Sequence, residues 1–130
     1  MIGALIPLLL RRTSRPVKTI ATIAIPISCI LVAWPLAQQT LAGDIPTAIQ
    51  QWLPNIDFDL AFRLDGLSLL FVSLILGIGV LIVLYAHYYL SSNDNDSRFY
   101  ACLLLFMSSM LGIITADNVL LMWAFWELTS

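Results

Sequence analysis

Three blocks of this chain carry no charged residue and are long enough to decide which solvent it folds in. Residues 19–37, 66–90 and 99–116 hold 19, 25 and 18 uncharged, mostly apolar residues. A hydrocarbon layer ~30 Å thick is crossed by roughly 20 helical residues. Without water, an unclosed segment satisfies its backbone polar groups only by coiling into a helix. The blocks therefore predict an all-α, polytopic transmembrane helix bundle. Composition agrees, with 60% hydrophobic and 11% charged residues against about 25% charged in an ordinary soluble domain.

The net charge of −2 offers nothing to nucleic acid, and membrane lipid is the expected surrounding. Cys29 and Cys102 fall in separate apolar blocks. They read as small buried packing residues rather than a disulfide or metal pair. A basic stretch at 11–18 ahead of an apolar run, with TLAG ending near Ala42, loosely fits a cleaved leader. The run is long, contains Pro26 and Pro35, and is followed by further spans, which favours a retained helix.

Residues 1–10, MIGALIPLLL, would make a helix of only ~15 Å, too short to span. RRTSRPVK at 11–18 holds four cations and no acid, which by the positive-inside rule sets it in the cytoplasm. A span over 17–37 follows, with Trp34 as an anchor near its outer end. The polar stretch 38–63 carries Asp44, Asp57 and Asp59 against one arginine, Arg63, and reads as an extracytoplasmic loop. Within it, Ile56, Phe58, Leu60 and Phe62 alternate with other residues, the period of a short strand or hairpin.

Asp65 is a candidate N-cap for the next helix, with Ser68 three residues on. That helix runs to Leu90 and ends among Tyr85, His87, Tyr88 and Tyr89, a cluster typical of an interfacial aromatic belt. The next span covers 99–115, and ADN at 116–118 makes a tight outer turn, with Asp117 as a second candidate cap. Ser73 and Gly77, and again Ser108 and Gly112, stand four apart, a spacing that lets helices approach closely in lipid. Gly77–Ile78–Gly79 lies mid-span and is expected to serve packing.

The run LLMWAFWELTS at 120–130 carries one acid, Glu127. Counted from a cap at Asp117, it lies ~15 Å into the helix, about half the hydrocarbon thickness. A charge there costs at least a few kcal/mol, and such groups face a bundle interior or a hydrated path. Burial raises the pKa of a carboxyl and a nearby cation lowers it, so a moving partner could load and unload a proton. Glu127 would instead lie near the surface if the helix entered further along, or if the segment did not insert.

The stretches RLDGLSLLFVSLILGIGVLIVLYAHYYLS (63–91), SRFYACLLLFMSSMLG (97–112) and ADNVLLMWAFWELTS (116–130) resemble the opening helices of the A subunit of the multisubunit Mrp-type sodium/proton antiporters. That family is similar to the largest antiporter-like subunit of respiratory complex I, which shares the LDGLS, SRF and ADN…WE pattern. FWELTS favours the Mrp side. The resemblance divides the chain into N-terminal spans and loop, 1–62, and the start of an antiporter-like domain, 63–130, that ends inside a fifth helix.

The resemblance implies coupled exchange of protons with Na+ or another monovalent cation, in the cell inner membrane, with no bound cofactor. It makes Glu127 a proton-path carboxylate that works with a lysine on a later helix. The cations present, Arg11, Arg12, Arg15, Lys18, Arg63 and Arg98, all lie in loops or at span ends. The expected partners are therefore the other subunits of an antiporter complex and a chain that supplies the missing helices. The chain is expected to be a piece of a larger machine, inactive alone. A fragment of the proton-pumping arm of complex I, or a non-transporting scaffold or decayed remnant, are the alternatives.

Overall fold

The computed structural model describes residues 15–53, 58–90 and 96–129. Four helices and one hairpin follow in order: α1 (Arg15–Leu41), β1 (Thr47–Leu53), β2 (Phe58–Arg63), α2 (Gly66–Tyr89), α3 (Asp96–Thr115) and α4 (Val119–Glu127). Three of these are long and apolar enough to cross a membrane, over Thr19–Leu41, Gly66–Tyr89 and Ser97–Thr115. The expected spans at 17–37, 66–90 and 99–115 are each present. The basic segment 11–14, residues 1–10 and the turn at 91–95 lie outside the described residues.

α1 runs through Pro26 and Pro35 without ending. Each proline lacks the N–H that would bond back one turn, a defect tolerated in membrane helices when neighbours re-satisfy the freed groups. The helix stops where Gly43 takes φ +98°. Its N–H donates to the Thr40 carbonyl and that of Asp44 donates to the Gln39 carbonyl, both at 3.1 Å. This paired closure of the last turn needs a left-handed residue, which glycine adopts without a Cβ penalty.

The chain then forms an antiparallel hairpin, from Thr47 opposite Arg63 to Leu53 opposite Phe58, with an irregularity between Gln51 and Leu53. The expected strand is thus β2, although Ile56 falls outside the described residues. Leu64 donates its N–H to the Pro46 carbonyl at 3.1 Å, and the Thr40 hydroxyl reaches the Leu64 carbonyl at 3.2 Å. The first extends the hairpin by one rung, and the second fastens it to the end of α1.

The first turn of α2 is closed by Asp65, whose carboxylate accepts the Ser68 N–H at 2.8 Å, as the spacing predicts. That bond, with help from the Ser68 side chain and from Arg63, holds the Asp65 carboxyl below its ordinary range. The buried residues of α2 are Ser68, Val72, Leu76, Gly79, Val83 and Ala86, one helical stripe at spacings of three and four. Leu64, Val72, Leu76, Leu104 and Met107 pack into one cluster, joined by Ile25 of α1. Val83, Ala86 and Tyr100 form a second cluster nearer the other end of α2, with Ile23 against it. α2 is therefore the central helix, with α1 and α3 packed antiparallel upon it.

Close approach occurs at Gly112, a member of one of the pairs singled out from the sequence, and at Gly79. A Cβ on Gly79 would overlap the end of the Met107 side chain, and one on Gly112 would overlap the Phe125 ring. Gly77 has nothing within 4 Å and Ser73 is exposed. The Ser73–Gly77 pair therefore makes no contact among the described residues, because the stripe that carries Gly79 turns it outward.

The two cysteines also differ from expectation. Both are free and exposed, lying off the faces that α1 and α3 turn to their neighbours. Cys29 borders an open apolar crevice of about 290 Å³ between α1, the hairpin and α2, with Ala33, Phe62 and Leu76 among its walls.

Candidate functional site

Glu127 is the last residue of α4, and its position follows from how that helix begins. α3 ends at Thr115, and the Ala116 N–H still bonds to Gly112 at 3.0 Å. The chain then touches the hairpin. Phe62 and Ala116 form an isolated antiparallel bridge, and Asp117 donates its N–H to the Ala61 carbonyl at 2.9 Å. The Arg63 Nε lies 3.5 Å from an Asp117 carboxylate oxygen, while its Nη2 lies 3.5 Å from Asp65. One guanidinium thus sits between the starts of two helices.

The N-cap of α4 is Asn118, whose side-chain oxygen accepts the Leu120 N–H at 2.9 Å. This corrects the expectation for Asp117. Its carboxylate is engaged by Arg63, and the neutral amide beside it closes the helix instead. The fifth helix nevertheless starts where the sequence indicates.

Arg63, paired with both Asp65 and Asp117, sets the starts of α2 and α4 at one level. α2, with 24 residues, is about 36 Å long. Glu127 lies nine residues after its cap, or about 14 Å along. Phe125 is half-buried, and its ring lies against Gly112 and 6.3 Å, centre to centre, from Phe62. At 3.6 residues per turn, Glu127 is roughly 200° further round the helix. It is exposed, as are Trp123, Ala124 and Trp126. Among the described residues no cation pairs with it; Arg63 is committed at the start of the helix, and Arg98 lies near the far end of α3.

The sequence reads His87 as an interfacial anchor. Tyr85, Tyr88 and Tyr89 beside it are 65–86% exposed, as a belt requires. His87 itself is half-buried, with Nδ1 2.9 Å from the Thr19 hydroxyl, which in turn lies 3.3 Å from the buried Tyr100 hydroxyl. It links α2 to α1, because its place beside Ala86 turns it toward that helix.

The family described as NADH-Ubiquinone oxidoreductase (complex I), chain 5 N-terminus, matches residues 52–100. The A1 subunit of the Na(+)/H(+) antiporter of Staphylococcus aureus is 40% identical over 126 residues, 97% of this chain. The same figures hold for the protein of strain Newman. The structure of the Mrp complex from Dietzia sp. DQ12-45-1b contains a chain that superposes over 98% of this one, with a TM-score of 0.81 and 30% identity. In sequence the chain is similar to Na(+)/H(+) antiporter A1 subunits, and in fold to a chain of the Mrp complex.

This chain spans 16% of the length of the curated antiporter relatives and 13% of the solved chain. The match extends through residues 1–62, where the sequence pattern offers only a shared layout. It supports a location in a membrane. The Phe62–Phe125–Gly112 contact is missed from the sequence, since nothing local in an aromatic residue names a partner so far along the chain.

Proposed function

We propose that this chain forms opening helices of a subunit that exchanges protons for Na+ or another monovalent cation, with Glu127 as the proton carrier. The observation that carries this reading is the level and facing of Glu127. It lies about 14 Å beyond its helix cap, on the side of α4 turned away from Phe62 and Gly112. A carboxyl at that depth is costly unless it faces a hydrated path or a partner. In this reading the cationic partner, a lysine, comes from helices that this chain does not contain. Its approach favours the charged carboxylate, and its withdrawal favours the protonated form.

The surrounding partners are the other subunits of an Mrp-type complex, in the inner membrane, with the basic residues at 11–18 on the cytoplasmic side. The division at residue 63 then marks the start of the antiporter-like part, and the hairpin stands outside. Pairing this chain with the remaining helices in everted vesicles should give Na+/H+ exchange, and Glu127→Gln should abolish it. Full exchange in the Gln variant would remove Glu127 from the mechanism.

A second reading, part of the membrane arm of an NADH-quinone oxidoreductase, is favoured by the family match at 52–100. It predicts proton movement that requires NADH oxidation, whereas the antiport reading predicts exchange driven by an imposed Na+ gradient alone.

A further inference from the structure

α4 is held at two points. At its start, Asp117 is hydrogen-bonded to Ala61 and ion-paired with Arg63, and Ala116 bridges Phe62. Eight residues on, Phe125 lies between the Phe62 ring and the bare backbone of Gly112. Two anchors about 12 Å apart fix both the tilt and the rotation of a short rod, and Phe62 contributes to each. We infer that Phe62 is a positioning residue for Glu127: its ring seats Phe125 in the Gly112 notch and so sets the direction in which the carboxyl faces.

This rests on the reading of Glu127 as proton carrier. Phe62 never touches the carboxyl; it acts through two residues of rigid helix. The charged and titratable groups described on the surrounding elements are Asp59 and Arg63 of β2, Asp65 just ahead of α2, Tyr85, His87, Tyr88 and Tyr89 near its other end, Arg98, Tyr100 and Cys102 in the first turns of α3, and Asp117 in the turn. None is near the middle of α4, so a change in facing, rather than a changed local charge, is what Phe62 can impose.

The test uses the assembled complex containing this chain, with Cys29 and Cys102 replaced by serine. Na+/H+ exchange is measured against pH in everted vesicles for Phe62→Ala, Phe62→Leu and Phe62→Tyr. In parallel, Glu127→Cys is combined with each variant, and the rate of labelling by a small thiol reagent is read. The Ala and Leu variants should shift the midpoint of the pH profile by about half a unit and change labelling several-fold. Tyr, which keeps the ring, should restore both.

Unchanged midpoint and labelling in assembled Ala and Leu variants would overturn the inference, as would a lower yield of complex with both readouts unchanged. Should Phe62→Ala fail to assemble, Phe62→Leu decides. Full exchange by Glu127→Gln would defeat the proton-carrier reading alone, since the labelling arm still reports whether Phe62 sets the facing of position 127.

Discussion

Gly112 and Gly79 are both covered by a neighbouring side chain, yet they should respond differently to the same added methyl. At Gly112 the obstacle is the base of the Phe125 ring, held from the other side by Phe62. At Gly79 it is the thioether end of Met107, which has several torsions with which to move away. Gly112→Ala should therefore destabilise the helix assembly by about 1–3 kcal/mol, as overpacking does, and Gly79→Ala by less. Reversible unfolding of the micelle-bound chain would rank them, and the opposite order would contradict the packing described. Asp65 gives a pH signature at the same scale. Its carboxyl is held below the ordinary value of 3.8, chiefly by the Ser68 N–H, so its capping is present above that value and lost as pH falls through the lowered one. Amide-exchange protection at Ser68 should thus decline in acid, while Asp65→Asn should show no such decline. The cap is legible in the sequence because donor and acceptor lie three residues apart. The role of Asp117 is not, because the arginine that engages it comes from another element.

α1 is tied to the bundle by polar contacts at both ends, beside the apolar packing of Ile23 and Ile25. At one end the Thr19 hydroxyl meets His87 and Tyr100; at the other the Thr40 hydroxyl reaches Leu64. Lipid is as apolar as leucine, so helix association in a membrane draws on packing and interhelical hydrogen bonds rather than on water exclusion. Thr19→Val keeps the side-chain size and removes the bonds to both His87 and Tyr100. It should weaken the hold of α1 on the bundle by about 1 kcal/mol, read as faster dissociation of α1 in a cross-linking assay. Tyr100→Phe, which removes only the longer bond, should cost less. The helices themselves are legible, since length and the absence of charge dictate them. Their mutual contacts are not, because an apolar stripe does not name its partner. Ser73 and Gly77 satisfy the small-residue spacing and still face away, whereas Gly79, two residues further on, makes the contact.

Across the whole molecule, α2 separates the hairpin from the tyrosine cluster by the length of a membrane span. Cysteines introduced at Gln50 and Tyr88, with Cys29 and Cys102 replaced, should therefore be labelled by an impermeant thiol reagent from opposite sides. Labelling of both from one side would contradict a spanning α2. The basic residues at 11–18 further predict that Gln50 is the outer position. Leu67, Leu70, Leu74, Ile78 and Leu81 remain exposed on α2, as expected of a chain covering a small share of its relatives' length. The distance of Glu127 from the turn that precedes its helix is readable in the sequence. Its orientation is not, because that depends on Phe62 and Gly112, which reach it only through the fold. The grip of Arg63 on Asp117 also bears on biogenesis. The aspartate leaves the ribosome only after the hairpin, α2 and α3 have been synthesised, so the segment bearing Glu127 meets partners already made, and its seating follows theirs.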